Sequence, residues 1–259
     1  MNPTQQPTQP LASHDSTDVS SVYVSRKTLL DQMSSKHGYD VSEYTGFSHS
    51  DVDAMMSVPG QLDMMFDFTL ETKTDVNNAD GVATKQVRVP AKSRVYVKYL
   101  IHPSLNRSQL DTLVTNAFVH GVFTGTAASS TSTMGPTPLQ STDTLVLVAV
   151  GGSTGGDAVT QDLIFRWNKL RQYVVIHDVK YLMFNALEHD LQPSDIHIAT
   201  PEEHDNLLKK YKLVPNQLPE IGRFDIVAKL LCARPGQIIC YLRKSPTAVN
   251  TWYYRVVVD

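Results

Sequence analysis

Three carboxylates fall close together in the first third of the chain. Asp63, Asp67 and Glu71 lie on or beside one short alternating segment, and Lys73 follows. Carboxylates so spaced beside a lysine could hold a magnesium ion for phosphodiester hydrolysis. The same pattern is also that of a solvated strand face, because Asp63 and Asp67 alternate with Met64, Phe66 and Phe68. A second candidate is Gly151-Gly152-Ser153-Thr154-Gly155-Gly156, which follows an apolar run and precedes a helical pattern, where phosphate cradles sit. It lacks the Gly-Lys-Ser/Thr ending of a P-loop and the spacing of GxGxxG. Asp178, at the distance of a ribose-binding acid, is its only support. The nine histidines form no HExxH. The two cysteines, Cys232 and Cys240, make no CxxC pair and have no histidine at metal-ligand spacing, so neither a zinc site nor a disulfide framework is expected. The remaining constellation is basic and aromatic. Arg234, Arg243, Lys244 and Arg255 are interleaved with Tyr241, Trp252, Tyr253 and Tyr254 near the C-terminus. That mixture suits either a strand face that covers its own core or a partner-binding surface.

The elements that must position these residues follow from periodicity. Residues 1–20, rich in Pro, Gln, Ser and Thr, read as a disordered tail. Ser25 is expected to cap a helix carrying Leu29, Leu30 and Met33, which Gly38 ends; Ser48 caps a second through Met56. Strands are predicted over 63–70, 93–101 and 144–150, the second with Arg94 and Lys98 opposite Val95, Val97, Tyr99 and Ile101. Helices are predicted over 106–118 and 158–170. Tyr173–His177 fits either a strand or a helix end, and 181–187 reads as a strand. Residues 125–141 are a low-complexity insertion of Ser, Thr, Gly, Ala and Pro.

Beyond residue 190 the punctuation is sharper. Thr200-Pro201-Glu202-Glu203 is a capping box with proline at the first helical position. Asp225 caps a short helix over 226–231, Arg234-Pro235-Gly236 is a turn, and two strands run over 237–243 and 251–258. An α/β unit over 21–190 is thus followed by a small α+β module over 191–259. The formal net charge of −3 excludes a protein that coats nucleic acid with its whole surface. The longest aliphatic run, Leu145–Val150, is too short to span a bilayer, so no membrane partner is expected. The polar N-terminus carries no apolar signal segment.

The C-terminal module resembles a known family: the small subunit shared by the nuclear RNA polymerases I, II and III, together with its archaeal RNA polymerase counterpart. The residues that carry the resemblance are Leu207, Leu208 and Tyr211, then Gln217-Leu218-Pro219-Glu220-Ile221 and Asp225-Ile226-Val227-Ala228. Arg234-Pro235-Gly236, Leu242-Arg243-Lys244-Ser245-Pro246-Thr247-Ala248 and Tyr254-Arg255-Val256 complete it. Upstream, His189-Asp190-Leu191-Gln192-Pro193 is similar to the family's inter-domain link. Ser25-Arg26-Lys27-Thr28, Lys36-His37-Gly38-Tyr39 and Met64-Met65-Phe66 resemble its first helix, turn and strand. Departures are Ile226 for a proline, Cys232 and Val249 for glycines, and Ser194-Asp195 where the family carries positive charge.

The resemblance implies a jaw-like N-terminal domain of nuclease-like topology without catalysis, followed by an assembly domain. It implies a non-catalytic subunit of a multisubunit DNA-dependent RNA polymerase, with no cofactor, no metal and one copy per complex. Its partners would be the largest subunit and the rest of the core. Arg243, Lys244, Ser245, Tyr254, Arg255 and Asp225 are the expected docking residues on the largest subunit. Arg94, Lys98 and Thr154 are the candidates for downstream DNA. Localisation would be the nucleus, the nucleolus for a class-specific subunit, or cytoplasm or virion for a viral member. Two other readings stand beside it: an adaptor for a regulator or chaperone outside polymerase, and the magnesium-dependent nuclease.

Overall fold

The computed structural model describes residues 16–75, 83–101, 105–121, 137–150, 156–214, 217–245, 247 and 249–259. The first half of the chain builds α1 (Ser16–Ser35), α2 (His49–Met56), β1 (Met64–Asp75), β2 (Ala83–Leu100), α3 (Arg107–Thr115), β3 (Thr144–Ala149), α4 (Asp157–Phe165) and β4 (Tyr173–Asp178). The second builds β5 (Asp195–Ile198), α5 (Pro201–Tyr211), β6 (Glu220–Gly222), α6 (Ile226–Leu230), β7 (Ile238–Ser245) and β8 (Val249–Val258). Both halves are mixed α/β. One sheet runs β1-β2-β3-β4, antiparallel at β1/β2 and parallel thereafter; the other runs β5-β7-β8-β6.

β3 is buried along its whole length, as a central parallel strand must be when helices cover both faces. On one face Tyr96, Leu145, Leu147, Val174 and Ile176 pack under Leu110 and Val114 of α3 and Val159 and Leu163 of α4. On the other, Phe66, Val97, Val148 and Val175 meet α1 and α2. The same apolar cluster continues without a break into Val227, Ala228, Ile239, Tyr241 and Val257 of the second half. A separate cluster seats α5 on the far face of the second sheet through Leu207, Leu218, Ile238 and Val256.

Several expectations are corrected. α1 begins at Ser16, so residues 16–20 are helical; residues 1–15 lie outside the described set. Its extra turns are held by Val19 and Val22, which join the core despite polar neighbours. Ser25 is therefore mid-helix, and its hydroxyl donates to the Val22 carbonyl rather than capping. Gly38, at φ 69°, does end the helix, letting its own N–H and that of Tyr39 return to the Ser34 and Met33 carbonyls. Residues 181–187 form no strand: short 3-10 turns occupy Val179–Leu182 and Ala186–Glu188. β5 and β6 carry no expectation from periodicity because they are only four and three residues long. The 125–141 insertion lies outside the described residues up to 136. The β1/β2 pairing shifts register between Phe66 and Phe68, with the extra residues on β2, and Leu70 beyond it is exposed.

The capping box at Thr200 and Glu203 forms as read, and Asp225 Oδ1 accepts from the Val227 N–H to start α6. Cys232 and Val249 both have positive φ, at 49° and 58°. These are the two places where the family resemblance has glycine, so each L side chain is held against its steric preference. Val249 is 77% exposed and gives little packing in return. Val249→Gly is expected to stabilise the chain by about 1 kcal/mol, read as a raised denaturation midpoint in urea. A lowered midpoint would mean that the exposed side chain stabilises the hairpin more than the turn strains it.

Candidate docking surface

The second sheet offers its two faces to different neighbours. Across the β7–β8 ladder, Tyr241 pairs with Tyr253, Ile239 with Arg255 and Arg243 with Thr251. Opposed residues of an antiparallel pair share a face, so these project together on the side of α6. There Arg243 and Arg255 both approach the Tyr253 ring, at 5.3 and 5.6 Å from its centroid. Burial, then the nearby Asp225 carboxylate, pushes the Tyr241 hydroxyl up to about 12. The docking candidates Arg243, Arg255 and Asp225 are thus gathered around Tyr241 and Tyr253. Ser245, at the end of β7, shares their face, and its hydroxyl meets that of Thr247 at 3.3 Å. Lys244 and Tyr254 alternate to the opposite face, with Trp252, whose ring meets His197 of β5 edge-on at 5.5 Å. The expected six residues therefore form two groups.

A buried seam fixes the direction of this hairpin. The Tyr173 hydroxyl, at the start of β4, donates to the Ala233 carbonyl at 2.5 Å, and the guanidinium groups of Arg223 and Arg234 lie 5.2 and 5.5 Å from its ring. Arg234 does not join the hairpin surface suggested by its sequence position. It reaches into the first half, donating to the Thr142 carbonyl and, at 3.2 and 3.4 Å, to the Asp143 carbonyl and Thr144 hydroxyl. The Asp143 carboxylate is engaged in turn by Arg94, at 2.6 and 3.0 Å. Burial alone would raise Asp143; Arg94 and the N–H groups of Gln140 and Arg94 outweigh it and hold the carboxyl below its usual range.

Further along the seam, His37 hydrogen-bonds the Leu230 carbonyl at 3.2 Å, and Lys229 donates to the Ile176 carbonyl at 3.4 Å. His177 is 3% exposed and its Nδ1 has no hydrogen-bond partner. Burial, reinforced by the Lys229 charge, lowers His177 to about 3, and burial lowers His37 as well. Both imidazoles are neutral in the folded chain.

The other sequence candidates are placed as follows. Asp63 is not on a solvated face with Asp67. It is buried, accepting from the Tyr96 hydroxyl at 2.6 Å and from Lys98 at 2.7 Å. The β1 register shift separates it from Asp67, which burial raises, and Glu71 is exposed. Among the described residues no three His, Cys, Asp or Glu side chains form a metal site. Arg94 and Lys98 are both engaged within the chain, by Asp143 and Asp63. Thr154 and the rest of Gly151–Gly155 lie outside the described residues. Both cysteines are free thiols raised by burial.

The second sheet thus carries a basic and aromatic hairpin and shares its apolar core with the first half. Residues 184–257, spanning that sheet, match the family model described as RNA polymerase Rpb5, C-terminal domain. The chain is 49% identical over 76 residues to the DNA-directed RNA polymerase subunit Rpo5 of Pyrococcus horikoshii, covering 29% of this chain and 92% of that protein. It is 46% identical over 74 residues to the Rpo5 of Staphylothermus marinus, 29% and 80% of the two chains. With the DNA-directed RNA polymerases I, II, and III subunit RPABC1 of Caenorhabditis elegans it shares 43% over 77 residues, 30% of this chain and 36% of the relative. The chain belongs to the Rpo5/Rpb5 family of accessory subunits of DNA-directed RNA polymerase.

The seam generates two measurable contrasts. Arg234→Ala is expected to destabilise by about 1 kcal/mol through its partly buried charge-assisted bonds, whereas Arg243→Ala, exposed at the hairpin, changes stability by less than about 0.5 kcal/mol. Urea denaturation of the two variants checks the difference. The depressed histidines set the acid side: the unfolded chain takes up protons near pH 6.5 that folded His177 refuses until about pH 3. Stability is therefore full above pH 6.5 and falls toward pH 3, by about 1.4 kcal/mol per pH unit for each such group. His177→Gln should flatten that slope in denaturation midpoints measured from pH 7 to 4.

Proposed function

We propose that this chain is a non-catalytic structural subunit of a multisubunit DNA-dependent RNA polymerase that docks on the largest subunit through the β7–β8 hairpin. Support comes from the family match, which falls on the sheet that bears the basic and aromatic cluster. The docking centre is Arg243, Tyr253 and Arg255, with Asp225 and Ser245 beside it. Lys244 and Tyr254 contact the partner from the other face of the same hairpin. Aromatic and arginine side chains are the residues that carry most of an interface's energy.

On this reading the two working units divide near residue 190: a C-terminal assembly unit and an N-terminal jaw-like unit with nuclease-like topology directed toward downstream DNA. Arg94 and Lys98 serve the internal structure of that jaw, since their charges are already matched by Asp143 and Asp63. Any DNA contact belongs to other residues, Thr154 being the remaining candidate. The place of action is the nucleus.

The test is co-purification. Arg243→Glu combined with Arg255→Glu is expected to cut recovery of the largest polymerase subunit at least about tenfold, a loss of about 1.4 kcal/mol, while circular dichroism stays that of the parent. Unchanged recovery by a folded double variant would remove the hairpin from the interface.

A further inference from the structure

Exposed apolar side chains are concentrated on the link between the two halves. Tyr181 is 54% exposed, Met183 38%, Phe184 56% and Leu191 90%. These are four of the thirteen exposed large apolar side chains among the described residues, gathered between positions 181 and 191. Exposed apolar residues scattered singly need no explanation, whereas a local concentration marks an interaction surface. The 3-10 turn over Val179–Leu182 sets which way they point. In such a turn residues i and i+3 eclipse. Val179 and Leu182 are accordingly buried together, and Tyr181 and Phe184 share an outward side. Side-chain caps fix both short turns of the link: Asp178 accepts from the Lys180 N–H and Asn185 from the Leu187 N–H. The apolar groups are therefore presented by ordered backbone, which lowers the entropy a partner must remove.

A track of neighbouring groups joins this patch to the hairpin. The Lys229 ammonium lies 5.9 Å from the Tyr181 ring centroid. Burial lowers Lys229, and the carboxylates of Asp225 and Asp178 oppose that. Asp225, four residues before Lys229, is on the same side of α6 and also acts on the Tyr241 hydroxyl. Tyr241 stands opposite Tyr253 in the β7–β8 ladder. From Tyr181 through Lys229, Asp225 and Tyr241 to Tyr253, one surface runs across α6 to the docking centre. Phe184 and Leu191 also fall, with the hairpin, inside the stretch 184–257 that matches the family model.

We propose that the largest polymerase subunit covers this patch as well as the hairpin, its footprint running from Arg243 and Arg255 across α6 to Phe184 and Leu191. The inference rests on the proposed function. The partner surface it calls for carries carboxylates against the two arginines and apolar side chains against Tyr181, Phe184 and Leu191. The two ends do different work: the charges orient the encounter, and the buried apolar area slows release. Because Tyr181 follows β4 and Leu191 precedes β5, a partner seated on the link also holds the two halves from outside.

Co-purification of the tagged full chain with polymerase tests it. Phe184→Ser combined with Leu191→Ser, both changes at exposed positions, is expected to cut recovery of the largest subunit at least about fivefold, with circular dichroism that of the parent. Phe184→Leu combined with Leu191→Met, which keeps the apolar area, should retain most of the recovery. Phe165→Ser removes an equally exposed ring from α4 and should leave recovery unchanged. Unchanged recovery by the folded Phe184→Ser, Leu191→Ser variant overturns the extended footprint, while recovery by the parent keeps the polymerase reading. A parent chain that recovers no largest subunit overturns both. A parent that sediments as a dimer, and as a monomer with the two serines, assigns the patch to a second copy and overturns the proposal as well.

Discussion

Tyr173 holds one end of each half of the chain at once. Its ring lies in the core of the first sheet, its hydroxyl is bonded to the Ala233 carbonyl, and two arginines from the second half close over it. One of these, Arg234, continues to the loop before β3, where Asp143 is also held by Arg94. In this way a single aromatic side chain, three guanidinium groups and one carboxylate tie β2, β3 and β4 to the turn that launches β7. Cation–ring contacts and charge-assisted bonds in a partly dry setting are directional, unlike apolar burial. The continuous apolar cluster supplies attraction between the halves; the Tyr173–Ala233 bond and the Arg234 bonds to the loop before β3 specify the angle. The hairpin can then present Arg243, Tyr253 and Arg255 in a fixed attitude because its base cannot pivot without breaking them.

The same geometry explains how one short hairpin serves two purposes. Its base contributes Ile239 and Val257 to one core and Ile238 and Val256 to another. Towards the tip Tyr253 and Tyr254 pack on the edges of these two cores, and Arg243 and Lys244 are exposed. Strain is tolerated at the tip: Val249 sits at φ 58° where the ladder ends. The helices show the complementary economy. α5 and α6 start on side-chain caps, and α1 ends on a glycine at positive φ, so their ends are fixed without tertiary help.

Much of the second half was legible because its signals are local. The Thr200–Glu203 box, the Asp225 cap and the two long strands each depend on residues a few positions apart. The family resemblance rests on the same stretch. The first half hid more. The start of α1 was obscured because Ser and Thr surround Val19 and Val22, and only packing reveals that these valines face a core. Residues 181–187 have strand-like composition but follow an Asp178 side chain that accepts from the Lys180 N–H and turns the backbone into a 3-10 helix. Asp63 looked solvent-facing by alternation, whereas Tyr96 and Lys98, some 33 and 35 residues away, bury and satisfy it. The direction of Arg234 was equally hidden, since its partners lie 90 or more residues back. The split of the docking candidates between two faces was available from period-two alternation along β7 and β8, once the ends of both strands were known.

On the proposed function this chain works as an assembled polymerase subunit. The direct measurement is affinity purification of the tagged full chain at moderately high salt, with the recovered proteins quantified by mass spectrometry. The expected result is recovery of a largest polymerase subunit in near-equal amount, together with the rest of its core. Recovery of the chain with no polymerase subunit, or with one only in traces, would contradict it and leave the C-terminal sheet as the inherited surface of an adaptor.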